Sequence, residues 1–258
     1  VIGLILGTSE GKKILSLLNK FTQDIFVSTA TEYGGELLKD YKYKEINTKP
    51  LDASELEKVV IENGIDVLVD ASHPYAEVVT KNAVEVCKKL NIIYARYERP
   101  KTFLNDDKHV IRVKDYSELY LKMKDIEGTI LNTTGSNNID KFINMNLKNR
   151  MIHRVLPSIK VMEKCFSLRV KTEDIIAIKG PISYQLNCSF IKEYDAKAMI
   201  LKDSGVQGGT DDKIKAAIDM DIKAFVIVRK DFHVGNTFNS EEEITDFVKD
   251  FLDKQNIS

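Results

Sequence analysis

The stretch Lys202-Asp203-Ser204-Gly205-Val206-Gln207-Gly208-Gly209-Thr210 puts three glycines beside a lysine, just ahead of a helical pattern that begins near Asp211. Glycine lets backbone N–H groups approach an anion closely, and a merely flexible connection would not need a lysine at its root. Lys202, Ser204, Gly205, Gly208 and Gly209 therefore read as an anion-binding set. Gly7-Thr8-Ser9-Glu10-Gly11 is a second candidate, because it follows an apolar run and opens a helix with Lys12 and Lys13 in its first turn. A phosphate there would meet unpaired backbone donors and the helix dipole, worth about 0.3–1 kcal/mol at an exposed terminus. The spacing is not GxGxxG, and a Gly-Thr turn that caps the helix through Thr8 or Ser9 accounts for the same residues.

Other polar loops follow other apolar runs. Ser28-Thr29-Ala30-Thr31-Glu32-Tyr33-Gly34-Gly35 offers hydroxyls and paired glycines where a dinucleotide fold meets the adenosine ribose, although the same cluster suits an ordinary turn. In Asp70-Ala71-Ser72-His73-Pro74-Tyr75-Ala76, Pro74 suits a first helical turn and leaves His73 and Tyr75 aimed near a crevice mouth. His73 is there either as a structural residue or as a proton carrier. Arg96-Tyr97-Glu98-Arg99-Pro100 holds two guanidinium groups, which either fork onto carboxylates of a ligand or pair with Glu98 and solvent. Asn132-Thr133-Thr134-Gly135-Ser136-Asn137, Arg154-Val155-Leu156-Pro157 and Lys179-Gly180-Pro181 fall in further inter-element loops. His109, His153 and His233 share no spacing with carboxylates or cysteines that would suggest a metal, so packing is their default.

The elements that must position these loops are legible from apolar periodicity. Short runs such as Ile2 to Leu6, Ile25 to Val27 and Val67 to Val69 alternate with helical patterns such as Ile14, Leu15, Leu17 and Leu18, or Val79, Ala83, Val86 and Leu90. That alternation marks a parallel sheet with crossover helices, in which ligands bind beyond the carboxyl ends of the strands. After Arg99-Pro100 the chain turns polar, and the rhythm restarts with Thr129 to Leu131, Ile175 to Ile178, Ala198 to Leu201 and Ala224 to Val228. The expectation is an α/β protein of two Rossmann-like lobes, 1–100 and 101–258, with mainly parallel sheets and a ligand cleft between them. A last amphipathic helix, with Ile244, Phe247, Val248, Phe251 and Leu252 on one stripe, is expected to pack on the second sheet.

Composition narrows the function classes. With 258 residues, 43% hydrophobic and 30% charged, the chain can bury one large or two modest cores, so disordered and fibrous classes are out. Its 38 Lys+Arg against 39 Asp+Glu provide no global field to draw it onto nucleic acid or acidic lipid, and any anionic ligand must be held locally. The opening apolar run has no basic stretch before it and breaks at Gly7, too short for a signal or membrane segment. Cys87, Cys165 and Cys188 are odd in number and form no CxxC, against a disulfide framework or a zinc site. The reading is a reduced, cytoplasmic protein without a metal.

Taken in order, these loops resemble the precorrin-6A reductase family of cobalamin biosynthesis, including its cobalt-precorrin-6A branch. The resemblance runs almost end to end and is most specific in His73-Pro74-Tyr75-Ala76 and Arg96-Tyr97-Glu98-Arg99-Pro100. Family members often carry arginine soon after the first-loop Glu, where Lys12-Lys13 stands here, and tend to end the last strand in Arg-Pro, where Arg229-Lys230 stands. The resemblance implies hydride transfer from a reduced nicotinamide cofactor to a carbon–carbon double bond of the macrocycle, converting precorrin-6A or its cobalt form to the 6B product. It places the cofactor on Gly7, Thr8, Ser9, Glu10, Gly11, Lys12, Ser28, Thr29, Ala30, Thr31, Gly34, Ser72 and His73. The polycarboxylate tetrapyrrole is expected on Arg96, Arg99, Thr134, Gly135, Ser136, Lys202, Ser204, Gly205, Gly208 and Gly209. His73, Tyr75 and Lys202, in that order, are candidates for proton donor or electrostatic stabiliser.

The cofactor expected is NADPH. NAD-selective folds end the second strand in Asp or Glu, which repels a 2′-phosphate, whereas no carboxylate occurs here until Glu32. Two rival classes share the basic loops: a non-catalytic protein that closes on an anionic small molecule, and a nicotinamide-dependent reductase of another substrate.

Overall fold

The computed structural model describes residues 1–7, 11–100, 107–205, 208–229 and 235–255. The chain divides into one unit of Val1–Arg99 with Asp231–Ser258 and a second of Pro100–Lys230.

In the first unit, strands β1 (Ile2–Leu6), β2 (Ile25–Thr29), β3 (Glu45–Asn47), β4 (Val67–Ala71) and β5 (Ile93–Tyr97) alternate with helices α1 (Gly11–Leu18), α2 (Glu32–Glu36), α3 (Ala53–Glu62) and α4 (Glu77–Leu90). The second unit holds β6 (Val110–Val113), β7 (Thr129–Asn132), β8 (Met151–Val155), β9 (Ile175–Ala177), β10 (Ala196–Lys202) and β11 (Lys223–Ile227). Its helices are α5 (Tyr116–Met123), α6 (Ile139–Asn144), α7 (Ile159–Ser167), α8 (Tyr184–Glu193) and α9 (Thr210–Asp219). The chain closes with β12 (Asn236–Phe238) and α10 (Glu241–Gln255).

The first sheet has the order β12-β5-β4-β1-β2-β3 and the second β6-β11-β10-β7-β8-β9, every neighbouring pair being parallel. The two orders match strand for strand, with β7, β8, β9, β10 and β11 standing for β1, β2, β3, β4 and β5. In each sheet the sixth strand lies beside the fifth, but one comes from the end of the chain and the other from the start of the second unit. Helices on both faces explain why β1, β2 and β4 are buried at every position and read as continuous apolar runs rather than alternating ones. Helix starts follow local chemistry: Asp52 and Glu55 form a reciprocal capping box on α3, and Ser183 caps α8 by accepting from the Leu186 N–H at 3.3 Å.

The structure corrects the expected second lobe of 101–258. Strand β12 extends the first sheet at β5, pairing Thr237 with Arg96, and α10 buries Ile244 and Val248 in the same core as Ile2, Leu4, Leu15 and Leu18. The helix therefore packs on the first sheet and not the second. Polar contacts agree: Tyr97 Oη donates to Glu241 Oε1 at 3.0 Å, and Lys13 pairs with Glu241 at 3.2 Å and Glu242 at 3.0 Å. An amphipathic stripe records that a helix needs an apolar partner, but not which one.

Candidate nucleotide crevice and anion site

From β1 the first unit's chain adds β2 and β3 on one side and then crosses to β4 on the other, so the order reverses between β1 and β4. Loops on either side of such a reversal diverge and leave a crevice. A cavity of about 170 Å³ opens there, lined by Leu6 and Gly7 at the end of β1, Ser28, Thr29 and Ala30 at the end of β2, and Ser72 and His73 after β4. Six residues expected to hold the cofactor thus meet at one place: Gly7, Ser28, Thr29, Ala30, Ser72 and His73. Thr8, Ser9 and Glu10 lie outside the described residues.

Other expected cofactor residues serve the fold. Gly11 is buried against β1, where an added Cβ would stand 2.9 Å from Leu6 Cδ1, so glycine lets α1 approach the strand. Thr31 Oγ1 accepts from the Gly34 N–H at 3.1 Å and caps α2, and neither residue lines the cavity. Lys12 is exposed and also outside the lining, while Lys13 is held by its glutamates. Lys49, which sequence reasoning did not single out, lines the cavity beside Ser28 and Thr29. Its only signal was a lysine two residues beyond a short strand that alternation alone does not reveal.

The loop after β4 is held by a buried ionic network. Asp70 is 0% exposed, and its Oδ2 accepts from Arg96 Nη1 at 2.7 Å, Tyr94 Oη at 2.9 Å and Thr80 Oγ1 at 2.9 Å. Its Oδ1 accepts from the Ser72 N–H at 2.9 Å, which fixes the turn into the crevice. Arg96, expected on the substrate, is 1% exposed and commits its Nη1 to Asp70 and, at 2.9 Å, to Thr80 Oγ1. Asp70 and Arg96 are register partners in adjacent strands, and a carboxylate so buried requires a cation. Arg99 is buried just past β5. His73 Nδ1 accepts from the Tyr75 N–H at 3.3 Å, so in the neutral ring the proton resides on Nε2. The two rings lie 5.9 Å apart. Ser72 Oγ is buried at the crevice wall without a hydrogen-bond partner among the described residues.

In the second unit the order reverses between β7 and β10, and the loops expected to bind substrate follow these two strands. After β7, Asn132 Oδ1 accepts from both the N–H and Oγ1 of Thr134, at 3.0 and 2.8 Å. Its amide nitrogen then donates to His153 Nδ1 at 2.9 Å, so His153 is held neutral; burial, opposed by Asp174, brings its pKa down to about 4. Gly135 follows at φ 83°, a conformation that favours glycine, and Ser136 leads into α6.

After β10 the loop differs from a free backbone cradle. The N–H groups of Ser204, Gly205 and Gly208 donate to Thr210 Oγ1, Asp203 Oδ1 and the Gly205 carbonyl, and that of Thr210 also goes to Gly205. The N–H groups of Gly205 and Gly208 are thus engaged within the loop, which leaves side-chain charge as the feature to weigh there. Lys202 is held below its usual pKa by burial and by the charge of Lys141. Nearby, Arg154 at the end of β8 and Lys213 in α9 are buried cations to which sequence reasoning gave no role. Lys213 had a visible signal, since it shares the helical stripe of Thr210, Ile214 and Ala217, where a lysine is out of place.

Among the described residues, no group of His, Cys, Asp and Glu could hold a metal ion, and no helix is long and apolar enough to cross a membrane.

Two parallel α/β sheets of matching order, the first with a crevice at its strand reversal, define a dinucleotide-fold type of enzyme scaffold. Residues 1–249 match the family described as precorrin-6x reductase CbiJ/CobK, and the chain belongs to that family of oxidoreductases. It is similar to a cobalt-precorrin-6A reductase of Methanocaldococcus jannaschii, 36% identical over 238 residues covering 92% of each chain. A cobalt-precorrin-6A reductase of Priestia megaterium is 30% identical over 247 residues, covering 95% of this chain and 96% of its own. The solved structure of a CobK precorrin-6A reductase shares the fold, with a TM-score of 0.77 and 15% identity over 96% of each chain.

Proposed function

We propose that the chain reduces precorrin-6A or its cobalt form to the 6B product in cobalamin biosynthesis, with NADPH as hydride donor. The observation that carries this is family membership over residues 1–249 together with a crevice at the strand reversal of the first sheet. Bound NADPH would supply a hydride to one carbon of a macrocycle double bond.

The protein's part is to bind, orient and deliver a proton. Gly7, Ser28, Thr29, Ala30 and Ser72 would receive the nucleotide, with the Ser72 hydroxyl satisfied by it. Asp70, locked by Arg96, holds the Ser72–His73 turn in place. His73, with its proton on Nε2, is the first candidate to quench the charge left after hydride arrival; Tyr75 and Lys202 follow. In the second unit Thr134, Gly135, Ser136, Lys202, Ser204, Gly205, Gly208 and Gly209 remain the substrate loops. The preference for NADPH is supported by Lys49 beside Ser28 and Thr29, a cation suited to a 2′-phosphate, and by the absence of a carboxylate from Ile25 to Thr31. A preference on the order of tenfold, about 1.4 kcal/mol, is expected.

The test is to mix protein, NADPH and either precorrin-6A or cobalt-precorrin-6A and follow nicotinamide absorbance. Oxidation dependent on the tetrapyrrole supports the proposal. Binding without oxidation, or oxidation indifferent to the tetrapyrrole, overturns it.

A further inference from the structure

We propose that Arg154 and Lys213 form a carboxylate-binding site at the C-terminal edge of the second sheet and receive an acidic side chain of the substrate macrocycle; the choice of substrate rests on the function proposed above. Arg154 is the penultimate residue of β8 on one flank of β7, and Lys213 enters from the first turns of α9, which follows β10 on the other flank. Both are buried, at 8% and 5% exposure.

Their hydrogen-bond partners among the described residues are neutral. Arg154 Nη1 donates to Asn187 Oδ1 at 3.2 Å. The Asn187 amide nitrogen is committed to the carbonyls of Ile182 and Ser183, at 3.4 and 2.9 Å, so its oxygen must face the guanidinium. Lys213 Nζ donates to the Gly208 carbonyl at 3.0 Å, in the loop after β10. A guanidinium carries five N–H donors and an ammonium three, and the described residues engage one of each. Neither cation makes an ion pair among the described residues. Asp203 is taken by Arg229 at 3.4 Å, and Asp211 and Asp212 belong to the first turn of α9, Asp211 being exposed.

Burial without a counter-charge is costly, and it shows in both groups. Lys213 is brought down to about 7 by burial and then by the charge of Arg154, and Arg154 to about 10 by burial. Two buried cations, each with only a neutral oxygen as partner among the described residues, answer no structural need that apolar side chains would not meet better. They do match one carboxylate, with the planar fork taking its two oxygens and the ammonium a remaining lone pair. A nucleotide phosphate offers similar oxygens, but the nucleotide crevice already lies in the first unit.

Arg154→Gln, Lys213→Met and Lys213→Arg are compared in the full chain. The two neutral variants should raise KM for cobalt-precorrin-6A about ten- to hundredfold while Kd for NADPH stays unchanged, and Lys213→Arg should retain most of the affinity. Tricarballylate should raise the thermal midpoint of the wild-type protein more than equimolar inorganic phosphate, and should fail to do so in Arg154→Gln. At pH 6, where Lys213 is charged, Lys213→Met should melt no lower than wild type, which a merely structural lysine would not allow. Unchanged KM in both neutral variants, or a loss of NADPH affinity in place of substrate affinity, overturns the site. If the wild-type protein turns over no tetrapyrrole yet the tricarballylate shift is lost in Arg154→Gln, the anion site stands and the substrate reading falls.

Discussion

Asp70 and Arg96 face each other across adjacent parallel strands at 2.7 Å, and the second unit repeats the arrangement with Asp203 and Arg229. In both units the aspartate stands within a residue of the end of the fourth strand of the matched order and accepts from the N–H two residues on, Ser72 in one and Gly205 in the other. The arginine comes from the fifth strand or the residue pair after it. In the first unit this device links a core ion pair to a loop at the crevice, so its loss should be felt in stability and in binding together.

Removing one partner leaves a buried charge uncompensated. Asp70→Asn or Arg96→Met should each cost about 3–5 kcal/mol of unfolding free energy, measured in denaturant. Where the variant remains folded, NADPH affinity should fall through the slackened Ser72–His73 turn. Substrate affinity falling while stability holds would mean that Arg96 reaches the ligand after all.

His153 makes stability depend on acid. Its folded-state pKa, about 4, lies below the unfolded value near 6.5, so the unfolded chain binds more protons between these pH values. Stability is full above about 6.5, declines as pH falls toward about 4, and levels off below, a loss on the order of 3 kcal/mol. His153→Gln keeps an acceptor for Asn132 and does not titrate. Its unfolding free energy should be flatter over that window, and an equal slope in both proteins would reject the assignment.

Cofactor choice should reside at the end of β2. Ala30→Asp places a carboxylate where it can accept from a ribose hydroxyl and repel a 2′-phosphate, and should reverse the preference toward NADH. Lys49→Gln should weaken NADPH about fivefold to tenfold and leave NADH alone. Parallel titration of both reduced cofactors reads the result, and equal losses for the two would refute it.

The C-terminal helix should behave as part of the first core. Ile244 is fully enclosed among β1 and α1 side chains, and Ile244→Ala should cost about 2–5 kcal/mol. Thermal and denaturant unfolding provide the measurement. A change below about 0.5 kcal/mol would mean that the helix is not docked there.

Local physics made much of this protein legible from its sequence. Continuous apolar runs such as Ile2–Leu6 marked strands covered on both faces, and the polar residues directly after them marked the strand ends where the cavity opens. Six crevice residues were recognisable in that way, as was the family resemblance carried by the loops. Strand β8 was not, because His153 and Arg154 interrupt its apolar pattern, and neither were the three-residue strands β3 and β12, too short to show a period. Tertiary structure alone decided that Arg96 serves Asp70, that Lys13 serves α10, and that α10 returns to the first sheet. Each depends on which charge or apolar stripe meets which partner across more than twenty residues of chain. Sequence specifies that a buried carboxylate or an amphipathic face must be matched, whereas only folding selects the match, since attraction between charges and between apolar surfaces carries no address along the chain.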